Sequence, residues 1–545
     1  MKLIFLLLSL FTTIVISAQK KKTDLIIFNA TIYTVDSVFS KAQAMAIDKG
    51  RIIAIGSRNS ILTNYTATRS VDAKNKFIYP GFIDAHAHFQ GYGNTLLRVN
   101  LVGTTSWKDV VQRTVAFSKK NPSSGWVQGR GWDQNDWSVK EFPDRKELDK
   151  AFPDQPVLLT RIDGHAAIAN AKALELAGIK AGQKLVGGDI EVKNGMLTGI
   201  LIDNAVDLVT SIIPEQTEPQ LQQALQAAEA NCFAVGLTTI DDCGQSFQGV
   251  ERIRTLQSAG KLKMRLYVML SDEKNNYDYI ERTGPIKTDR LNVRSFKVYG
   301  DGALGSRGAC LLHPYHDKPG HFGFLLSSYS HFDSIAAWMY QRGLQLNTHA
   351  IGDSGTRTIL NIYAKYLKGK NDLRWRIEHA QVVHPNDFDL FGKYSVIPSV
   401  QPTHATSDMY WAGDRLGPER IKGAYAYQQL KTQNGWIPLG TDFPVEDISP
   451  FKTFYAAVFR RDAKGWPKNG FQVENALSRQ DALRGMTIWA ARSNFEEHEK
   501  GSLEVGKFAD FIILDRDLLT IPEEQVLQAK VLSTFLNGEE VYKKK

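Results

Sequence analysis

The chain has 545 residues, 43% of them hydrophobic and 23% charged, and a net charge of +8. That length exceeds the usual ceiling for one core, so a large domain plus a smaller one is expected. No basic cluster interleaved with aromatics accompanies the positive charge, and the lysine runs at 20–22 and 543–545 read as solvated tails, which argues against nucleic-acid binding.

From the N-terminus, Lys2 precedes the apolar run LIFLLLSLFTTIVI, which closes on Ile16-Ser17-Ala18 before Gln19. A charged start, an apolar middle and a small residue at the cut describe a secretory signal peptide over 1–18. The run is short for a spanning helix, and no cysteine sits at the cut to carry a lipid. A periplasmic or secreted protein follows, without stable membrane insertion after cleavage. Cys232, Cys243 and Cys310 are too few and too scattered for a disulfide scaffold and read as core residues.

Next, DLIIFNATIYTV and AMAIDKGRIIAIG alternate like short antiparallel strands, a character that GKFADFIILDRD and VLSTFLNGEEVYKK repeat near the other end. A small β-sandwich domain from 19–79 plus 500–545 is expected, since chain ends often lie close in space. Between them, GFIDAHAH, GLTTIDDC, MRLYVML, SFKVYG, LQLNTH, WRIEHA, SVIPSVQ and WIPLGTD alternate with helical stretches. This is a parallel α/β pattern with the strand number of a (β/α)8 TIM-like barrel, over 80–499. The interval from His88 to about Gly236 is too long for one helix and is rich in aromatic and β-branched residues. It predicts a subdomain inserted after the first strand, over about 100–230.

The chemistry concentrates at strand ends. In PGFIDAHAHF, His86 and His88 would project from one strand face. Alone, such a pair is either a metal site or a polar strand end. Lys297 lies in the fourth strand, His349 ends the fifth, His379 the sixth and Asp442 the eighth. In a barrel these positions converge on one mouth. Neutral imidazole and carboxylate suit Zn²⁺ or a similar divalent ion, whereas the same groups without a metal would be a costly desolvated cluster.

Together PGFIDAHAHF, RGWDQNDW, DGHAAIAN, KVYGDGALGSR, THAIGDSG, RIEHAQ, GTDFPVE and GSLEVGKFADFIILD resemble the metal-dependent amidohydrolase superfamily, specifically its YtcJ-like branch, amidohydrolase family 3. The resemblance runs from about Asp24 to the end. It implies one or two divalent ions: His86, His88 and Asp442 on the more buried metal, and His349 and His379 on a second. Lys297 would bridge them as an N-carboxylated lysine, which needs its pKa lowered; an unmodified Lys297 beside one metal is the alternative. A metal-activated hydroxide would attack the carbonyl of an amide or other C–N bond of a small molecule. Asp442 would act as ligand and proton carrier. Hydrolysis of an ester or cyclic substrate, or an isomerisation, would use the same metals. A non-catalytic binding barrel would be signalled by a missing ligand, and none of the six is missing. Barrels of this superfamily often pair as homodimers.

Further residues are expected to face the substrate. His165 in DGHAAIAN either reaches it from the insertion or caps its own loop. Trp132 and Asp133 in GRGWDQNDW are pocket residues, unless Trp132 is core. Asp301 and Arg307 in GDGALGSR follow the fourth strand, and Gln401 and His404 in VQPTH follow the seventh. His313, His316 and His321 imitate a metal cluster, but Pro314, Pro319 and Gly320 make that stretch a loop.

Overall fold

The computed structural model describes residues 19–122 and 125–545, so the expected signal peptide lies outside the described residues. Seven parallel strands neighbour one another in chain order: β1 (Phe82–Ala87), β2 (Leu237–Gln245), β3 (Arg265–Ser271), β4 (Leu291–Tyr299), β5 (Gln345–Ala350), β6 (Arg376–His379) and β7 (Ile397–Ser399). All six residues of β1 and of β5 are buried, as expected of parallel strands covered on both faces.

WIPLGTD, the expected eighth strand, closes the barrel without becoming a regular one. Its backbone bridges the two edges: Gly440 N–H donates to Val400 O at 3.0 Å, Ala85 N–H to Leu439 O at 3.2 Å, and Asp442 N–H to His86 O at 2.7 Å. Pro438 has no N–H to offer a ladder. At Gly440 a Cβ would sit 2.6 Å from His86 N and 2.9 Å from Asp84 Oδ1, so only glycine permits this approach.

Helices separate the strands and begin where the sequence caps them. Ser246 Oγ accepts from Gly249 N–H before the helix Phe247–Ser258, and Ser328 Oγ from His331 N–H before Tyr329–Arg342. The latter helix ends on Gly343 at φ +62°, the left-handed stop that glycine supplies.

Between β1 and β2 lies a second, six-stranded sheet, made by Val99–Asn100, Val127–Trp132, Val157–Arg161, Ala166–Ala169, Gly188–Lys193 and Met196–Asp203. It has apolar clusters of its own, one around Trp132, Leu159 and Ile200. Both chain ends enter a third sheet, of eight strands. In it Lys21–Tyr33 pairs parallel to Tyr65–Pro80, which pairs antiparallel to Phe511–Leu514. Leu25 and Ile27 join one apolar cluster and Ile26 another, as the two-residue period of a strand requires. No helix among the described residues is long and apolar enough to cross a membrane.

Candidate metal centre and cavity

The end of β1 is clamped by the buried Asp84. Its carboxylate accepts His86 N–H at 3.2 Å, Thr441 N–H at 2.9 Å and the Thr441 hydroxyl at 2.7 Å. The clamp holds residues 440–442 against β1. The strand then stops at Ala87, and His88 begins the helix Phe89–Thr95 rather than ending the strand. The two imidazoles still adjoin, with ring centroids 5.8 Å apart.

Three histidines are oriented through Nδ1. His86 Nδ1 donates to the Glu378 carboxylate at 2.6 Å, His88 Nδ1 to Cys243 O at 3.1 Å, and His379 Nδ1 to Gln401 Oε1 at 2.7 Å. Each acceptor keeps the proton on Nδ1 and leaves the Nε2 lone pair available, which is the usual outer-sphere device of metal-binding histidines. Asp442 lies among them. Its Oδ1 is 3.2 Å from His88 Nε2 and 3.6 Å from His86 Nε2, and its Oδ2 is 3.6 Å from His404 Nε2. Two groups of donor atoms therefore lie within 4.8 Å of one another: His86, His88 and Asp442, and His379, His404 and Asp442. Lys297 Nζ lies 3.2 Å from His86 Nε2, and the His349 ring is 4.6 Å from that of His379. All six expected ligands are brought together.

Local strain marks the same place. Asp442 has φ +63° and His379 φ +74°, a region in which non-glycine residues cost about 1–3 kcal/mol. Asp442 Oδ1 and His404 Nε2 are moreover buried without a hydrogen-bond partner. An imidazole nitrogen and a carboxylate oxygen that lack protein partners fit a divalent ion.

The protonation states agree. Burial holds His86, His349 and His379 below the ordinary histidine range, with added repulsion from Lys297, His165 and His349 respectively. They are neutral and can donate lone pairs. Burial opposes the Asp442 carboxylate, but the imidazoles of His88, His86 and His379 packed around it favour its ionised form and hold its pKa well below the usual range. Lys297 departs from the sequence expectation. Burial disfavours its charge, yet the acidic groups of Tyr299, Cys243, Glu378 and Asp442 outweigh that and raise its pKa. A cation among the same ligands would act in the opposite direction.

A cavity of about 1450 Å³ opens on this cluster and is lined by His88, Lys297, His349, His379, His404 and Asp442. His165 and Asp133 also line it. His165 Nδ1 bonds Asp203 at 2.6 Å, with its ring 5.0 Å from that of His349, and Asp133 is paired with Arg161. Four other expected substrate residues do not line the cavity. Trp132 is fully buried in the six-stranded sheet, donating from Nε1 to Leu159 O at 2.8 Å. Asp301 lies behind His349 and ties loops by accepting from the N–H groups of Cys310, Ile351 and Gly352. Arg307 pairs with Asp317 at 2.8 Å. Gln401 supports His379 from behind. The loop histidines His313, His316 and His321 belong to neither donor group. Glu378 was missed, although a carboxylate directly before His379 in a buried strand was a signal; it also faces Arg376, which pairs with Asp241 at 2.9 Å.

Comparison with known proteins agrees with this geometry. The amidohydrolase family profile matches residues 69–542. The chain is 34% identical to the protein LONG AFTER FAR-RED 3 of Arabidopsis thaliana, over 95% of this chain and 91% of that one. It is 29% identical to the putative amidohydrolase YtcJ of Bacillus subtilis, over 94% of this chain and 98% of that one. The crystal structure of an uncharacterized metal-dependent hydrolase from Pyrococcus horikoshii matches with a TM-score of 0.75 at 28% identity, covering 92% of this chain and 99% of that one. A metal-binding cluster at the mouth of a parallel barrel, in a chain matched almost end to end, places the protein in the amidohydrolase family, in its YtcJ-like branch, among the hydrolases of carbon–nitrogen bonds.

Proposed function

We propose that the protein is an exported hydrolase that cleaves an amide or other carbon–nitrogen bond of a small molecule at the floor of this cavity. The observation that carries the reading is the set of Nε2 atoms aimed at Asp442, with Asp442 Oδ1 and His404 Nε2 buried and unpartnered. His86, His88 and Asp442 would hold one divalent ion, Zn²⁺ by ligand type. His349 and His379 would hold a second, with Lys297 bridging as a carbamate; His404 is a further donor that can join His379. The ion supplies a Lewis acid for the substrate carbonyl and a water of lowered pKa.

The chain's own residues do the rest. Asp442, ionised and held by the Thr441–Asp84 clamp, accepts the proton of the attacking water at the carboxylate oxygen that does not hold the ion and delivers it to the leaving nitrogen. Glu378, Cys243 O and Gln401 keep the histidines in one tautomer. His165, fixed by Asp203, orients the substrate from the second sheet. Export rests on the 1–18 segment and predicts a mature chain beginning at Gln19.

The test is elemental analysis of the mature protein together with turnover of matched amides and esters. About two divalent ions per chain and faster amide turnover are expected. Failure to bind metal when metal and bicarbonate are supplied would overturn the reading, and a strong preference for esters would move it to another bond class.

A further inference from the structure

We propose that Arg98 and Arg130 form an anion subsite beside the metal centre, so that the substrate carries a carboxylate next to its scissile bond. This rests on the hydrolase reading above and names its substrate class. Arg98 follows the helix that His88 begins, and Arg130 lies in the strand Val127–Trp132; both line the cavity onto which Lys297 and Asp442 open.

What sets the pair apart is the absence of a counterion. Arg161, on the neighbouring strand Val157–Arg161, is neutralised by Asp133 and by Asp163, the latter at 2.5 Å. Among the described residues, neither Arg98 nor Arg130 has a carboxylate oxygen within the 4.0 Å of an ion pair. Arg130 donates from Nη2 to Ile162 O at 2.8 Å, and the Nε of both arginines is buried with no partner. Each guanidinium has five donors, so most of this capacity is unspent.

The pose of Arg130 is built in. Gly164, at φ +78°, faces it, and a Cβ there would come 3.1 Å from Nη1 and 3.3 Å from Nη2. The electrostatics agree. Burial and the charge of Arg130 lower the pKa of Arg98, and burial lowers that of Arg130 although Asp163 and Asp442 oppose it. Two partly desolvated like charges are unfavourable together until an anion joins them, and the planar guanidinium fork matches a carboxylate. Three carboxylates elsewhere in the cavity are engaged otherwise: Asp272 accepts from His331 and Tyr277, Glu446 from Ser407, and Asp408 from Tyr425.

The test compares N-benzoylglycinate with neutral N-benzoylglycinamide, by calorimetry on the metal-supplemented mature protein, with inorganic phosphate as a third probe. The carboxylate should bind about 10- to 100-fold more tightly than the amide. That ratio should collapse towards one in R98Q and R130Q and be partly kept in R130K. A wild-type ratio near one, a ratio unchanged in both glutamine variants, or tight phosphate binding without carboxylate preference would overturn the proposal. Should the variants fail to fold, the wild-type ratio and its decline with salt decide. A failed metal centre would show separately, as absent bound metal and absent turnover with the carboxylate preference intact.

Discussion

Asp442 is the residue on which the site turns, because both donor groups share it. D442N keeps the shape but loses the negative charge and the proton acceptor. Turnover should fall by about 10²- to 10⁴-fold and bound metal should drop, measured by initial rates and elemental analysis on the same sample. Gln401 acts one step back, through the 2.7 Å bond to His379 Nδ1. Q401L should weaken metal affinity by about 10- to 100-fold without unfolding the protein, and Q401E should recover part of the loss; a titration with a competing chelator reads both. Asp442 and His379 were legible in the sequence because each ends a recognisable apolar run, and Lys297 because it lies within one. Gln401 was legible only as a residue near the mouth, since its service to His379 depends on how β6 and β7 lie side by side.

At the scale of the element, the closing segment at 436–442 is the informative one. An apolar run ending in Asp442 reads as a strand, and the chain does run between β7 and β1. Pro438 and the contact of Gly440 with β1 replace a ladder with a few specific bonds. G440A should place a methyl group against His86 N and Asp84, destabilising the protein by about 1–3 kcal/mol and lowering metal content together with the melting temperature. A variant that melts normally and holds its metal would show that the segment yields without disturbing β1. The second sheet repeats the lesson. Composition indicated ordered structure between β1 and β2, but Trp132 faces the core of that sheet whereas Asp133 and His165 reach the cavity. Direction along an isolated strand cannot be read from residue type alone.

Across the whole molecule, buried polar ties hold the terminal sheet together and join it to the barrel. The Tyr33 and Tyr79 hydroxyls donate to Asp517 at 2.6 and 2.7 Å, with the two rings stacked 5.0 Å apart, and Arg265 of β3 donates to Asp510 at 2.6 Å. Burial alone would raise the Asp517 pKa, but the bonds from Tyr33, Tyr79, Leu519 and Thr520 lower it below the ordinary value. A carboxyl with a depressed folded pKa binds more protons when unfolded. Its contribution to stability is therefore complete above the unfolded value of about 3.9 and is lost as pH falls through the folded one. D517A should cost about 1–3 kcal/mol at neutral pH, by stranding two buried hydroxyls, and should flatten this part of the acid limb in denaturant unfolding at pH 2–5. An unchanged acid limb would assign that pH dependence to other carboxylates.

The sequence by itself indicated seven of the barrel strands, with an eighth that forms no regular strand, the strand character of both chain ends, and six residues, expected as metal ligands, that the fold brings close together. Hydrophobic runs and the spacing of histidines are local properties that survive without a fold. Tertiary structure alone decided which groups serve those residues. Glu378 meets His86 from 292 positions away, Asp442 gathers His404 as well as His88, and Arg161 finds two carboxylates where Arg98 and Arg130 find none. Such pairings follow from the closure of the barrel and the placing of a second sheet at its mouth. Charge and hydrogen bonding act over a few ångströms, and only the folded chain sets those distances.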